Sequence, residues 1–509
     1  MNKKDILILF VFVIAVTAFS VFNVGYEPVH SDEITYLSII KYQQDPSLYS
    51  KDLIISEILP NLPLPFYSIL GLFSFIDEKY LFLFVYVMTR ALLVLSVFFL
   101  AHTLFGDKLV SYFSVISVLL LRGEIGMVLG SYEILNKIAT FSFFIAVPIL
   151  LFSISFFLRK KYIISSILLT FSMYLHATTS IFILLLYGFY FLVNYKKINK
   201  AVIGSLVLFL LGSSYILIKS FSSASTNYLP IDKWIYFLSL RVSGHFFPST
   251  WSILSYVLFG ILILLFLISF KYKPKEEKHN KVILLSIGTL ILCIISFFFT
   301  EILPVKQIVQ ASFLRGIVIF RVIAIIYVIN YIIQSLKSSS RIHKQISLGI
   351  SVFLLLLIII PFFVGGHRGI FDEVNLEKPI GPWEDVALNS KDLTSKDSLF
   401  ITPPFSLGFT FFSERSEFIN WKTSGVGVYS SRYVAEAFSR FAFVCKHDFE
   451  FESRTELVEE CTKGYENINE EDLKKTKDQY KITHIIVRKP KTLDFNLIYE
   501  NEEYRIYEL

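Results

Sequence analysis

Long apolar stretches recur through the first 365 residues, and nearly all of them are bracketed by short clusters of lysine and arginine. About 20 apolar residues are needed to carry a helix across the roughly 30 Å hydrocarbon core of a bilayer, so the chain reads as a multi-pass membrane protein. Short cytoplasmic loops collect Lys and Arg. The clusters here are Lys3-Lys4, Lys108, Arg159-Lys160-Lys161, Lys196-Lys197-Lys200, Lys271 to Lys281 and Lys337 to Lys344. Placing every cluster on one side gives about 11 spans, near 6–25, 80–104, 108–122, 138–158, 161–175, 178–195, 201–219, 251–271, 281–300, 313–336 and 346–365. An odd number puts the N-terminus in the cytoplasm and the C-terminal third outside, in a cell (plasma) membrane. The first run, Ile6 to Val24, resembles a signal peptide but is long and lacks a small-residue cleavage site, so it is expected to stay as an anchor.

This layout leaves 26–79 as a long first external loop. Its apolar piece, Leu62 to Ile76, begins among Pro60, Pro63 and Pro65 and is too short to span, so it is expected to lie along the outer leaflet. A further span there would turn every later cluster to the wrong side.

At Gly366 the chemistry changes. From there on, 19 Lys+Arg face 26 Asp+Glu, whereas the preceding chain carries 29 against 16. Two compartments of different charge are implied, not a nucleic-acid surface. Short β-branched runs (Ser398 to Thr402, Thr483 to Val487) alternate with charged helical pieces, and the chain ends in a hairpin pattern across Leu497–Glu500 and Tyr504–Tyr507. The expected architecture is a multi-pass α-helical membrane domain, 1–365, followed by an external soluble α/β domain, 366–509. Cys293 lies in an apolar run. Cys445 and Cys461 both fall in the external domain, where a disulfide closing their short loop would contribute roughly 3 kcal/mol if the compartment is oxidising.

One polar stretch stands out from this scaffold: His30-Ser31-Asp32-Glu33-Ile34-Thr35-Tyr36, directly after the first span. An apolar-spaced run follows, so a helix is expected to start here. Asp32 or Ser31 would cap it and Glu33 would suit the positive end of its dipole. The alternative is chemical. A carboxylate at a low-dielectric boundary has its pKa raised, which suits a general base acting on a hydroxyl or amine. Neighbouring helical residues point about 100° apart, so one acid of the pair would act, and Asp32 is the candidate.

Ionisable residues near the outer ends of spans are the other candidates. Arg315 falls in the first turn of the tenth span, and a guanidinium there suits bidentate binding of a phosphate, as against snorkelling or a buried ion pair. Arg321 and Arg90 lie deeper. Lys306 is a second candidate for the phosphate. Tyr36, Glu124, His176, Arg241 and His245 are candidate substrate contacts in the external segments. For His176, capping of the next helix through Thr178 or Thr179 is the competing role. A metal at His30, Asp32 and Glu33 has poor geometry, with three ligands in four residues. The C-terminal domain holds no Gly-rich phosphate loop and no Cys/His metal spacing. Arg415, Trp421 and Lys422 offer either a saccharide-facing surface or a core Trp with solvated charges.

The order of features resembles the GT-C superfamily of polyprenyl-phosphate-dependent glycosyltransferases, which includes protein mannosyltransferases and lipid A aminoarabinose transferases. The shared features are a Lys-flanked first span, an external Asp-Glu-x-x-Tyr, a long loop, about ten more spans and an external C-terminal domain. The resemblance implies that Asp32 is catalytic and that Glu33 is the second acid many members carry. It implies a polyprenyl-phosphate-sugar donor, an extracytoplasmic glycan, lipid or protein acceptor, and inversion at the sugar. No cofactor is implied. A divalent metal, used by oligosaccharyltransferases with a second acidic motif, is not favoured, because Arg122-Gly123-Glu124 and Glu133 do not form an Asp-x-Asp. Trp383-Glu384-Asp385 only echoes the oligosaccharyltransferase signature. The competing readings are a non-catalytic transporter or flippase, and a polysaccharide polymerase or ligase using the Ser220–Thr250 loop.

Overall fold

Helices account for most of the chain. The computed structural model describes all residues except 1, 29–32, 61–64, 74, 122–128, 130–141, 224–227, 365–373 and 378. Among the described residues, seven helices are long and apolar enough to cross a membrane: Lys3–Val24, Glu78–Phe105, Lys200–Ser220, Ile253–Tyr272, Glu277–Ile302, Lys306–Lys337 and Arg341–Ile359. The other four expected spans coincide with shorter apolar helices, Lys108–Leu120, Ser142–Leu158, Tyr162–Leu175 and Ala177–Val193. At 1.5 Å per residue, a 14-residue helix such as Tyr162–Leu175 covers only about 21 Å, short of a full hydrocarbon core.

The chain divides into two compact units. One comprises Met1–Glu27, Tyr80–Ile216 and Gly244–Leu376; the other comprises Pro28–Lys79, Leu217–Ser243 and Glu377–Leu509. This differs from the expected boundary at 365/366. Residues 28–79 and 217–243, read in the sequence as loops of the membrane domain, fold with the C-terminal region. The reason is packing between distant parts of the chain, which periodicity does not report.

The first unit is a helical bundle. Its most enclosed helix is Ile317–Lys337, in which every residue from Ile317 to Tyr331 is buried, whereas Lys3–Val24 buries few residues and only toward its C-terminal end. The basic clusters are tied to one another through acids on neighbouring segments. Asp5 pairs with Lys108 (2.7 Å), Asp107 with Lys337 (3.2 Å), and Glu277 with both Lys160 (2.5 Å) and Lys197 (2.8 Å). The intramembrane arginines also have polar partners. Arg90 donates to Ser20 Oγ (3.0 Å) and Tyr86 OH (2.9 Å), and Arg321 donates to the carbonyl of Leu121. Each is a charge removed from water and held by neutral oxygens, which lowers the cost of burying it.

The second unit is α/β. A five-stranded sheet runs in the order β2-β1-β3-β5-β4, where β1 is Leu399–Ile401, β2 Ser416–Glu417, β3 His484–Arg488, β4 Asn496–Glu500 and β5 Tyr504–Glu508. β1 pairs in parallel with β2 and β3, whereas β5 pairs antiparallel with both β3 and β4, giving the terminal hairpin. Phe400, Phe409, Ile486 and Ile506 meet in its core with Val386 and Ala387 of the helix Pro382–Leu393. Cys445 and Cys461 are disulfide-bonded and join the helices Ser431–Cys445 and Arg454–Glu466. A Cβ on Gly464 would lie 2.0 Å from the Cys445 carbonyl oxygen, so only glycine permits this close approach.

The first loop belongs to this unit through named contacts. The Ser38 and Thr410 hydroxyls are 3.1 Å apart, Lys41 pairs with Glu414 (3.0 Å), and Tyr49 OH donates to the Thr410 carbonyl (3.0 Å). The segment 217–243 joins through Trp234 Nε1, which donates to the Gly427 carbonyl (3.1 Å), and Tyr236 OH, which donates to that of Phe451 (2.9 Å).

Candidate functional site

Two groups of candidate residues are assembled, one in each unit. In the α/β unit the helix Glu33–Gln44 begins immediately after Asp32. Asp32 and His30 lie outside the described residues, as do Arg122, Glu124 and Glu133. Glu33 is the first helical residue and is buried. Tyr36, on the next turn, stacks on Tyr67 of the helix Pro65–Gly71 with centroids 4.0 Å apart and planes at 8°. A face-to-face aromatic contact of this kind contributes on the order of 1 kcal/mol beyond burial. It fixes the helix that follows Asp32 on one flank, while Ser38 and Lys41 fix it against the sheet domain. The start of that helix is therefore held from two sides.

Other candidates in this unit have intramolecular partners. Arg241 donates through Nε to the Trp421 carbonyl (2.5 Å) and through Nη2 to that of Lys422, clamping the 3₁₀ turn Thr423–Tyr429 from its N-terminal side. Trp421 is buried and meets Phe237 and Phe441 edge to face, so it is a core residue. Arg415 donates to the carbonyls of Lys391 (2.5 Å) and Thr394 (2.6 Å). Asp385, of the Trp-Glu-Asp triplet, accepts from Tyr499 OH (2.7 Å) and Asn501 Nδ2 (2.8 Å) and so pins the hairpin to the helix.

A small cavity of about 20 Å³ opens beside the same helix, lined by Thr35, Ser38, Asp52, Glu417 and Asn420 together with apolar side chains such as Ile39 and Leu53. That volume suffices for about one water. Glu417 accepts from Thr402 Oγ1 (2.5 Å) and Asn420 Nδ2 (3.2 Å), and its backbone N–H donates to Asp52 Oδ2 (3.4 Å). Burial pushes the Glu417 carboxyl up to about 8, and the neighbouring Asp52 charge acts in the same sense. Burial also raises Asp52. Neither acid carries a sequence signal, since each is a single carboxylate in an unpatterned segment.

In the helical unit the structure brings two candidates into direct contact. His176 ends the helix Tyr162–Leu175 and precedes the helix Ala177–Val193. Arg315 sits in the 3₁₀ turn Phe313–Gly316 ahead of the helix Ile317–Lys337. Arg315 Nη1 lies 2.9 Å from His176 Nε2. A guanidinium can only donate, so Nε2 is the acceptor and the imidazole is neutral with its proton on Nδ1. That proton is directed at Thr179 Oγ1 (3.0 Å), whose own hydroxyl donates to the His176 carbonyl (3.2 Å). Phe143 meets the imidazole edge-on at 5.1 Å, and the Arg315 guanidinium lies over Phe246 at 5.9 Å. His245 is the residue before Phe246 and meets its ring edge-on at 6.4 Å. Lys306 opens the short helix Lys306–Ala311 and is buried. Gly316, next to Arg315, is packed under Phe182: a Cβ there would fall 2.1 Å from the ring, so this glycine sets how closely the arginine turn approaches the helix Ala177–Val193.

Chemically, a guanidinium beside the N-terminal end of a 17-residue helix favours an anion, because the charge and the helix dipole add. Among the described residues no group of three or more His, Cys, Asp or Glu is arranged to hold a metal ion.

A family model described as a domain of unknown function, DUF6798, matches residues 381–432, the stretch from the helix Pro382–Leu393 through β1 and β2 to Arg432. No curated protein matches the chain. Among solved structures, the crystal structure of ArnT from Cupriavidus metallidurans bound to undecaprenyl phosphate is similar over 100% of this chain and 98% of that one, at 10% identity and a TM-score of 0.46.

Proposed function

We propose that the chain is an integral membrane glycosyltransferase that moves a sugar from a polyprenyl-phosphate-linked donor to an acceptor outside the cytoplasm. The observation that carries this reading is the setting of Asp32. It follows the first apolar helix by a few residues and directly precedes a helix held by Tyr36 on Tyr67 and by Ser38 on Thr410. A carboxylate at this point of the chain suits a general base acting at the outer end of the first span.

In the proposed reaction Asp32 takes the proton from an acceptor hydroxyl or amine. The acceptor atom attacks the anomeric carbon as the bond from that carbon to the phosphate oxygen breaks, inverting the sugar. The polyprenyl phosphate leaves with the electron pair. Arg315, aided by the positive end of the helix Ala177–Val193, holds the phosphate and stabilises its growing charge. No nucleotide-sugar is needed, in keeping with a sequence that has no nucleotide-binding loop. Glu33, Tyr36, Glu124, His245 and Lys306 are assigned to the surroundings of the two substrates. The N-terminus is assigned to the cytoplasm and the α/β unit to the outside.

The test is a comparison of envelope glycans by mass spectrometry between a deletion strain and the same strain with the gene restored. Loss and return of one sugar supports the reading and identifies both sugar and acceptor; unchanged glycans in the deletion contradict it.

A further inference from the structure

We propose that His176 is a positioning residue for Arg315: a neutral hydrogen-bond acceptor that holds the guanidinium in place and releases it when the ring takes up a proton. The inference rests on the reading that Arg315 binds the donor phosphate, and it adds both a role for His176 and a control by pH.

The geometry excludes His176 as a proton-transfer group while this arrangement lasts. The Nε2 lone pair is taken by Arg315 Nη1 at 2.9 Å, and the Nδ1 proton is directed to Thr179 Oγ1 at 3.0 Å, with Thr178 Oγ1 at 3.3 Å. Neither nitrogen is left to exchange a proton with a substrate. The bond also sets where the arginine points, because a guanidinium is planar and fixing one nitrogen limits the plane of the other two. Protonation of Nε2 would set two donors and two like charges face to face across the same 2.9 Å. Among the described residues in contact with the ring, Arg315 is the charged one; Phe143, Thr178 and Thr179 carry no charge, and Phe246 backs the guanidinium. The ring's protonation state is thus coupled chiefly to the arginine it holds.

The experiment measures binding of a polyprenyl monophosphate to the full-length protein in lipid nanodiscs. Titrations are run near pH 7.5 and near pH 4, because burial and the Arg315 charge hold the imidazole well below its ordinary pKa of about 6.5. The variants are His176→Gln, which keeps an acceptor close to the Nε2 position and does not titrate, His176→Phe, which keeps the ring and removes the acceptor, and Arg315→Gln. At the higher pH, His176→Phe is expected to lose about tenfold in affinity, the scale of one hydrogen bond to a charged group, and His176→Gln to stay within about threefold of wild type. At the lower pH, phosphate protonation, with a second pKa near 6, weakens every variant. Wild type is expected to fall further than His176→Gln by about another tenfold. Parallel pH responses of wild type and His176→Gln, or wild-type affinity in His176→Phe, overturn the inference while leaving the phosphate site standing. Unchanged binding in Arg315→Gln, or no binding by wild type, overturns the phosphate reading and this inference with it.

Discussion

The hydroxyl of Ser38 meets that of Thr410 at 3.1 Å, across 372 residues of sequence. With Lys41 on Glu414 and Tyr49 on the Thr410 carbonyl, it makes the helix after Asp32 a part of the α/β unit. Ser38→Ala or Thr410→Ala is expected to cost about 1 kcal/mol, the net worth of a buried hydrogen bond. The double variant is expected to cost less than the sum, because the partners share one bond. Thermal unfolding of the purified protein measures this; strict additivity would show that the two hydroxyls do not interact.

Gly464 tests the packing around the disulfide. Adding a Cβ 2.0 Å from the Cys445 carbonyl oxygen forces backbone atoms apart, so Gly464→Ala is expected to destabilise the α/β unit by roughly 3 kcal/mol. Gly188→Ala is the control. Its Cβ would meet nothing within 4 Å, and in the middle of the helix Ala177–Val193 it should be neutral or stabilising by up to about 1 kcal/mol. Equal melting temperatures for the two variants would refute the close approach.

Glu417 gives a pH dependence with a definite sign. Its carboxyl ionises near 4.5 when unfolded and is held up to about 8 by burial in the folded protein. Between those values the folded state binds the proton more tightly, so its contribution is full below about 4.5 and is lost as pH rises through about 8. Asp52, also raised by burial, acts in the same direction. The melting temperature of wild type should therefore fall relative to that of Glu417→Gln as pH is raised from about 5 to about 8. A gap that stays constant, or that moves the other way, would contradict the burial of a neutral Glu417.

The membrane helices, the strands around Phe400 and Ile485, and the terminal hairpin were legible because apolar runs and alternation are local patterns. The division into units was not. Ser38 and Tyr49 find their partners more than 360 residues away, and no period in the sequence reports that pairing. Side-chain roles divide in the same way. Arg315 and His176 are recognisable one at a time as polar residues at span ends, but their mutual bond depends on Gly316 admitting Phe182. Arg241 reads in the sequence as a substrate contact in a loop, and Trp421 as either a saccharide-facing or a core residue; the arginine binds backbone carbonyls and the indole is buried, since both belong to a core assembled from separate segments. Asp52 and Glu417 carry no motif at all.

Asp32 as a general base and Asp32 as a mere cap of the helix it precedes predict different outcomes for one substitution. The most direct measurement restores a deletion strain with either the wild-type gene or Asp32→Asn, at matched membrane expression, and compares envelope glycans by mass spectrometry. Asparagine caps a helix about as well as aspartate but is not a base. Wild type is expected to return the missing sugar and Asp32→Asn to leave it absent. Full return of the sugar with Asp32→Asn would make Asp32 a helix cap and contradict the account.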